Sequence, residues 1–195
     1  MGEVFFSSDL HLSHNNILAY DNRPFANIDE HNEALIANHN ALVNKNDLVF
    51  WLGDICMGHI VETLPLLKRF NGMKYLIPGN HDRVSGAYSQ THQNKFWNEY
   101  ERYVHILPER TVFKVDGIGN VNFSHYPYDG DHTDSERYMD LRFVDTGKPL
   151  VHGHIHAKEK VSYSSIGTKQ VHVGVTSWEY RPVHIDEVRD LLISE

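Results

Sequence analysis

The first half of the chain alternates short apolar runs with longer segments of helical periodicity. Apolar runs at residues 4–6, 48–52 and 75–77 predict buried strands, the last ended by a Pro-Gly pair. Residues 27–43 and 60–70 carry apolar side chains at helical spacing and predict helices. This order of strands and helices predicts a parallel sheet built from βαβ units.

The second half of the chain is dominated by strand-like segments. They occupy residues 111–115, 120–123, 150–152, 170–175 and 182–185, whereas helical patterns occur around residues 94–104 and 185–193. We therefore expect a second sheet, mixed or antiparallel, packed on the first. No linker-like, repetitive or low-complexity segment interrupts the pattern, so residues 1–195 are expected to form a single domain.

Composition narrows the classes of function. The formal net charge is −8, from 18 basic and 26 acidic residues, which disfavours a sequence-blind nucleic-acid coat or a polybasic membrane binder. The longest apolar run, residues 48–52, is too short to span a membrane. A single cysteine excludes an intramolecular disulfide, and the N-terminal residues do not resemble a signal peptide, so we expect a cytoplasmic protein. Fifteen histidines are the unusual feature.

Polar clusters follow five of the predicted strands. They are Asp9-Leu10-His11, Gly53-Asp54, Gly79-Asn80-His81-Asp82, Ser124-His125 and Gly153-His154-Ile155-His156. Ligands of open α/β sheets bind outside the carboxyl ends of the strands, so these positions are typical of a functional site. Alternate side chains of an extended segment point the same way, so Asp9 and His11 could reach one point, as could His154 and His156.

The residue types in these clusters point to metal binding. Asp, Asn and neutral His are donors for divalent transition metals such as Mn²⁺, Fe²⁺ or Zn²⁺. Two aspartates, an asparagine and four histidines exceed the ligands of one ion and suit two ions that share a carboxylate. Two such ions can clamp a phosphoryl oxygen and generate hydroxide from water near neutral pH. Each cluster alone could be a surface pair or a hydrophilic turn, but the five together favour a metal site.

In this order the clusters resemble the signature of the calcineurin-like metallophosphoesterases. The match runs through Asp9-x-His11, Gly53-Asp54, Gly79-Asn80-His81-Asp82, His125 and Gly153-His154-x-His156. The stretch from Asp9 to Ile17, Arg23-Pro24-Phe25 and the late Val173-Gly174-Val175, Trp178 and Tyr180-Arg181-Pro182 are similar to small bacterial and phage members without extra domains. The resemblance covers essentially the whole chain, and its motifs are specific for the superfamily but say little about the substrate.

The resemblance implies a fold and a set of roles. The implied fold is an α/β four-layer αββα sandwich, in which two mixed sheets are flanked by helices. One metal ion would be held by Asp9, His11 and His156, and the other by Asn80, His125 and His154, with Asp54 bridging them. His81 would be a non-ligand catalytic histidine that protonates the leaving oxygen or stabilises the phosphate, and Asp82 would orient an imidazole. Mn²⁺ is the foremost expectation, with Fe, Zn, Co or Ni as alternatives.

Other polar residues are less clearly assigned. Candidate substrate-binding residues are His14, Arg23, Arg83, Arg137 and Arg142. The last two lie in the polar segment 126–149, which could equally be a solvated connection between two ligand motifs. Eight histidines without a motif are interpreted as surface or packing residues: His31, His39, His59, His92, His105, His132, His172 and His184.

The predicted activity is hydrolysis of a phosphate ester by a metal-bridging hydroxide. A covalent phosphoenzyme is not expected, since no Ser, Cys or Asp nucleophile stands in a recognisable setting. The lack of a cap domain or P-loop favours a small, flexible, nucleotide-like phosphodiester, and the acidic charge makes long duplex nucleic acid an unlikely partner. A phosphomonoesterase or pyrophosphohydrolase using the same site, and a non-catalytic scaffold of the same fold, remain alternatives. The sequence does not indicate an oligomeric state.

Overall fold

The computed structural model describes residues 2–131 and 135–194, and its strands form two five-stranded mixed sheets. The strands are β1 (Val4–Ser7), β2 (Leu48–Trp51), β3 (Met73–Leu76), β4 (His105–Ile106), β5 (Thr111–Val115), β6 (Gly119–Phe123), β7 (Leu150–His152), β8 (Val161–Tyr163), β9 (Lys169–His172) and β10 (Val183–His184). The first sheet has the order β10-β1-β2-β3-β4, with β1 to β4 parallel and β10 antiparallel at the edge. The second has the order β5-β6-β7-β9-β8, with β6, β7 and β9 parallel.

The described residues also form five α-helices and two 3₁₀ helices. They are α1 (Ile17–Tyr20), α2 (Ile28–Leu42), α3 (Ile60–Thr63), α4 (Gln90–Glu101) and α5 (Ile185–Ile193), with 3₁₀ helices at Leu64–Arg69 and Val175–Trp178. Helix α2 begins where the Asn27 side chain accepts a hydrogen bond from the Glu30 amide. The helix predicted at 60–70 is instead divided, because Pro65 has no N–H to donate to the carbonyl four residues earlier.

Two apolar clusters define the layers. On one face of the first sheet, Trp51 and Leu76 pack with helical residues such as Leu35 and Tyr100. On the other face, Phe6 stacks at 5.0 Å on Phe123 of the second sheet, so the two sheets bury one core between them. This arrangement confirms the predicted fold class of two mixed sheets with helices.

The outer face of the second sheet is polar and buried. The Asn122 side chain donates to the Tyr128 hydroxyl at 2.8 Å, and the Tyr128 amide donates to the Gln170 side chain at 2.8 Å. These bonds hold the start of segment 126–149 along the sheet.

Several elements differ from the sequence-based expectations. The segment 182–185 was expected in the second half's own sheet, but it pairs with β1 at the edge of the first sheet. The strand expected at 170–175 ends at His172, and Gly174 then forms a single bridge to Ser8. Strands β4 and β8 were not predicted. Among the described residues, no helix has the length and apolar character that crossing a membrane requires.

Candidate metal centre

The ends of strands from both sheets meet at one edge of the molecule. The Asp9 amide donates to the Gly53 carbonyl at 3.1 Å, which joins the segments after β1 and β2. In the second sheet, the Gly153 amide donates to the His125 carbonyl at 3.0 Å and joins the segments after β6 and β7. The seven predicted ligands are all brought together at this edge, and all but the half-buried His156 are buried.

One group of donors consists of Asp9, His11 and His156. Their ligand atoms lie within 4.8 Å of one another. Nε2 of His11 is 3.3 Å from Nε2 of His156, which is 3.7 Å from Oδ1 of Asp9. The other ring nitrogen of His156, Nδ1, is 3.2 Å from a carboxylate oxygen of Asp21. Because a carboxylate can only accept, Nδ1 carries the proton, and the lone pair of Nε2 faces His11 and Asp9. Imidazole lone pairs that point to one place beside a carboxylate form a set of donors that can bind a cation.

A second group lies on the other side of Asp54. Nδ1 of His125 donates to the Leu52 carbonyl at 2.7 Å, so its Nε2 carries the lone pair. That Nε2 is 3.2 Å from Oδ1 of Asn80 and 3.2 Å from Nδ1 of His154. Oδ2 of Asp54 is 3.5 Å from Nε2 of His125 and 3.7 Å from Nε2 of His11, so this carboxylate lies between the two groups.

Burial sets the protonation of these groups. Removal from water lowers the pKa of His11 and of His125, which keeps both imidazoles in the neutral form that binds metals. Burial raises the pKa of the Asp54 carboxyl to about 7. Burial opposes protonation of His156 as well, but the hydrogen bond to Asp21 and the neighbouring Asp9 raise its pKa. The donors therefore fit divalent cations, which compensate buried carboxylates and need no proton on the imidazoles.

Two buried carboxylates that the sequence analysis missed orient the ligand histidines. Asp21 accepts from Nδ1 of His156 at 3.2 Å and from Nε of Arg23 at 2.9 Å. Asp131 accepts from Nε2 of His154 at 3.2 Å and from the guanidinium of Arg142 at 3.3 Å. Carboxylates in this position fix the tautomer and ring orientation of a metal-binding histidine. No local motif marks either residue, since isolated aspartates are common in polar segments.

Five of the ten non-glycine residues with positive φ in the described part of the chain are predicted ligands. Positive φ angles occur at Asp9 (58°), His11 (49°), Asp54 (56°), His154 (72°) and His156 (51°). Such angles are uncommon for residues other than glycine, and strained backbone clusters at functional sites. Two glycines are needed for the same close packing, because a Cβ at Gly53 would overlap the His125 ring and one at Gly153 would overlap the Ser8 hydroxyl.

His81 and Asp82 lie beside the metal ligands in different roles. The His81 imidazole is 39% exposed, and its Nε2 lies 4.0 Å from Oδ2 of Asp54. The expectation that Asp82 orients an imidazole is wrong. Its buried carboxylate accepts from the amides of Gly79 (2.8 Å), Asp54 (2.8 Å) and Ile55 (3.2 Å), and so ties the loop after β3 to the loop after β2.

A cavity of about 510 Å³ opens beside the ligands. Metal-ligand and catalytic candidates on its lining include His11, Asp54, His81, His154 and His156, whereas the rest of the lining includes Ile17, Tyr20, Met57, Arg137 and Tyr138. Two predicted substrate-binding residues, His14 and Arg137, lie on this lining. Nδ1 of His14 is 3.4 Å from Nδ1 of His11, and the Arg137 guanidinium donates to Asp131 at 2.9 Å.

The other three substrate-binding candidates have structural surroundings. Arg23 is buried and donates to the carbonyls of Asp9 and Leu10 at 2.9 and 3.1 Å. Arg142 is also buried and donates to the carbonyls of Gly130 and Arg137. Neither guanidinium is accessible to a substrate, so both assignments are corrected to loop-holding roles.

Arg83 is not among the residues that line the cavity, and its guanidinium lies 5.7 Å from the centre of the Tyr88 ring. The structure therefore does not bring this arginine to the cavity with His14 and Arg137.

One histidine interpreted as a surface or packing residue is buried beside a predicted ligand. His172 is buried, and its Nε2 is 4.0 Å from Oδ2 of Asp9, while its Nδ1 donates to the Ser177 hydroxyl at 2.7 Å. His31 and His39 are buried among neighbouring side chains, as a packing role requires. His132 lies outside the described residues.

Comparisons with known proteins agree with this geometry. A family model described as calcineurin-like phosphoesterase matches residues 3–179. The gene 66 protein of Mycobacterium phage L5 is 33% identical, over 98% of this chain and 95% of its own length, and that of phage D29 is 34% identical over 98% and 96%. An uncharacterized protein of Methanocaldococcus jannaschii is 29% identical over 98% and 92%. A solved structure of a protein of unknown function from Aquifex aeolicus superposes with a TM-score of 0.72 at 22% identity, covering 98% of this chain and all of that one, and so shares the fold.

Proposed function

The chain belongs to the calcineurin-like phosphoesterases, which are metal-dependent phosphoester hydrolases, and from this membership we propose that it hydrolyses a nucleotide-like phosphodiester with two divalent ions. The observation that carries the proposal is the position of Asp54. Its Oδ2 lies within 3.7 Å of a donor nitrogen in each of the two ligand groups. A carboxylate between two donor groups suits a shared ligand.

The ligand groups divide the seven donors between the two ions. Asp9, His11 and His156 would hold one, Asn80, His125 and His154 the other, and Asp54 would serve both. When bound, such ions polarise phosphoryl oxygens and lower the pKa of a coordinated water. The mixture of carboxylate, amide and imidazole donors suits Mn²⁺ first, with Fe, Zn, Co or Ni as alternatives.

His81 is the proposed proton donor. Its imidazole faces the cavity without belonging to either ligand group. The backbone amide of His81 donates to Oδ1 of Asp54 at 2.9 Å, which fixes the residue beside the reacting centre. From there the ring can protonate, or hydrogen-bond to, the leaving oxygen of an ester.

Cavity charge favours a diester over a monoester. Among the described lining residues, Arg137 supplies the guanidinium, and it already donates to Asp131. A phosphodiester carries one negative charge, whereas a monoester dianion carries two and would draw on more cationic donors. The two proposed ions would attract either ester, so the limited positive charge beyond them supports the diester as the substrate that needs less charge compensation.

The substrate is tested by a panel of cyclic nucleotides, short oligonucleotides, nucleoside diphosphate conjugates and nucleoside monophosphates. We expect kcat/KM with Mn²⁺ to be highest for a diester, and chelator to abolish turnover. A preference for monophosphates above about tenfold would favour a phosphomonoesterase. A preference for the diphosphate conjugates would favour a pyrophosphohydrolase. No turnover, together with no bound metal, would favour a scaffold.

Metal content separates the roles of Asp54 and His81. Asp54→Ala should lose both ions, because the shared carboxylate is gone. His81→Asn should keep two ions per chain by elemental analysis and lose most of its turnover. Loss of one ion from the His81 variant would show that His81 is a ligand, contrary to the proposal.

A further inference from the structure

Part of the cavity lining consists of residues that are neither predicted metal ligands nor catalytic candidates. Beyond the ligands, its lining includes Ile17, Tyr20 and Met57 on the segments after β1 and β2. The Tyr20 side chain is 76% exposed, although large aromatic side chains are usually at least half-buried in a folded protein. An exposed ring on the lining of a catalytic cavity is a candidate for contact with the substrate.

The backbone at Tyr20 is anchored beside the predicted metal ligands. Tyr20 ends helix α1, and the next residue, Asp21, accepts hydrogen bonds from His156 and Arg23. Arg23 in turn donates to the Asp9 carbonyl. Tyr20 is therefore adjacent in the chain to a carboxylate that holds a predicted metal ligand, so its backbone cannot move far without disturbing the candidate centre.

The surroundings of Tyr20 complete an apolar subsite. Its ring contacts the His14 ring edge-on, with centroids 6.2 Å apart, and Ile17 is buried one turn earlier in the helix. Within residues 2–131 and 135–194 the Tyr20 hydroxyl has no hydrogen-bond partner, so the ring offers a flat apolar face.

The size of the cavity leaves room for an organic arm on the substrate. A volume of about 510 Å³ lies within the range that holds a drug-sized ligand. A bare phosphate group would fill only a small part of it. The remaining space extends along the lining that includes Tyr20.

We propose that Tyr20 is the specificity-determining residue of this cavity and stacks against a nucleobase on the non-leaving arm of the phosphodiester. This inference rests on the proposed phosphodiesterase function and names the group that its substrate carries. Stacking of a base on an aromatic side chain contributes about 5- to 150-fold in affinity and tolerates any base, because every base has a flat face.

The test compares two diesters with the same leaving group. Thymidine 5′-(p-nitrophenyl phosphate) and methyl p-nitrophenyl phosphate differ only in the arm that remains on the phosphate. We expect the protein with Mn²⁺ to favour the thymidine ester by tenfold or more in kcat/KM. Tyr20→Ala should reduce this ratio at least fivefold, whereas Tyr20→Phe should retain it, because stacking needs the ring and not the hydroxyl.

A matched control is an exposed tyrosine away from the cavity. Tyr163 in β8 is 57% exposed, and Tyr163→Ala should leave the ratio as in the unaltered protein. An equal preference for the two esters, or an unchanged ratio in Tyr20→Ala, would overturn the role of Tyr20 while leaving phosphodiesterase activity established.

Product binding provides a readout that does not depend on turnover. Isothermal titration of the Mn²⁺-loaded protein should show adenosine 5′-monophosphate binding at least fivefold more tightly than inorganic phosphate, and Tyr20→Ala should remove this difference. Equal affinities in the unaltered protein would overturn the proposal even if neither ester were hydrolysed. Absence of hydrolysis with the affinity difference intact would instead overturn the phosphodiesterase assignment alone.

Discussion

The predicted metal ligands are held in place by strained backbone as well as by hydrogen bonds. His11 has a φ of 49° and donates its amide to the Asp54 carbonyl at 2.9 Å, so its backbone cannot relax without breaking the contact between two ligand loops. The same strain aims its imidazole at Asp54 and His156. Strained residues such as His11 thus lower the stability of the folded protein at positions where the site needs a fixed geometry.

This strain predicts an unusual order of stability at position 11. In chelator, His11→Gly should be more stable than His11→Ala by about 1 kcal/mol, because alanine carries the left-handed penalty and glycine does not. Urea unfolding measures the difference. Ala37 is an exposed residue of helix α2, and there Ala37→Gly should have the opposite sign, destabilising by up to about 1 kcal/mol. Equal stability of the two His11 variants would show that the positive φ carries no strain.

Asp21 should set the affinity of the metal site through His156. Asp21→Asn removes the charge that holds Nδ1 of His156, so the ring orientation loosens and metal affinity should fall by about 10- to 100-fold. Metal titration of the apo protein measures this, and circular dichroism checks the fold. Asp116→Asn, at an exposed position in the second half, is the control and should leave the affinity unchanged. Unchanged affinity in Asp21→Asn would mean that His156 is oriented by other contacts.

Sequence patterns pointed to the predicted ligands, which the fold brings together, but not to the residues that support them. The motif residues follow strand ends, so both their position and their chemistry can be predicted from the sequence. Arg23 was assigned to substrate binding because an arginine in a polar loop looks the same whether it faces a phosphate or a carbonyl. Its partners, the carbonyls of Asp9 and Leu10, become neighbours only in the folded chain. Asp21 and Asp131 were not predicted for the same reason, because their histidine partners are distant in the sequence.

Among the elements, those with long apolar periodicity were predictable and those made by distant pairing were not. Helix α2 and strands β1 and β2 follow directly from local patterns. Strand β4 has two residues, and β10 joins the first sheet by pairing with β1 at the far end of the chain. No local pattern specifies such a partner, because the pairing depends on which edge remains accessible after the first sheet forms.

Helix α2 contributes a pH-dependent part of the stability through His39. This histidine is buried against Phe70, its Nε2 is 3.0 Å from the Asn71 carbonyl, and burial lowers its pKa to about 4. The unfolded chain has the ordinary pKa near 6.5 and binds the proton first as the pH falls. The contribution of neutral His39 to the free energy of unfolding is thus fully present above about pH 6.5 and is lost as the pH falls towards 4. The loss is about 2 kcal/mol between pH 7 and pH 5.

A substitution that cannot titrate isolates this contribution. His39→Gln keeps an N–H donor for the Asn71 carbonyl, so its free energy of unfolding should fall by about 2 kcal/mol less than that of the unaltered protein between pH 7 and pH 5. Urea denaturation at the two pH values gives both slopes, and the difference between them cancels the other titrating groups. Parallel slopes would contradict the predicted role of His39.

At the scale of the whole molecule, net charge limits the substrates that can reach the centre. The chain carries −8, and two divalent ions would reduce this only to about −4. Tight binding of duplex nucleic acid requires many basic contacts that release counterions, and the acidic balance disfavours an extended basic face. The cavity beside the metal ligands is instead of a size for one small ligand.

The charge and the cavity together predict a preference for short substrates. Per phosphodiester, kcat/KM for a dinucleotide should exceed that for a 30-base-pair duplex by at least about tenfold, because a stacked and paired base cannot enter the cavity without unstacking. The duplex should also bind more weakly than about 100 µM at physiological salt, the weak end of nonspecific DNA binding. Fluorescence anisotropy over a series of salt concentrations measures this affinity. Duplex binding that weakened steeply with added salt would reveal a basic face and overturn the expectation, since affinity from counterion release depends on clustered positive charge.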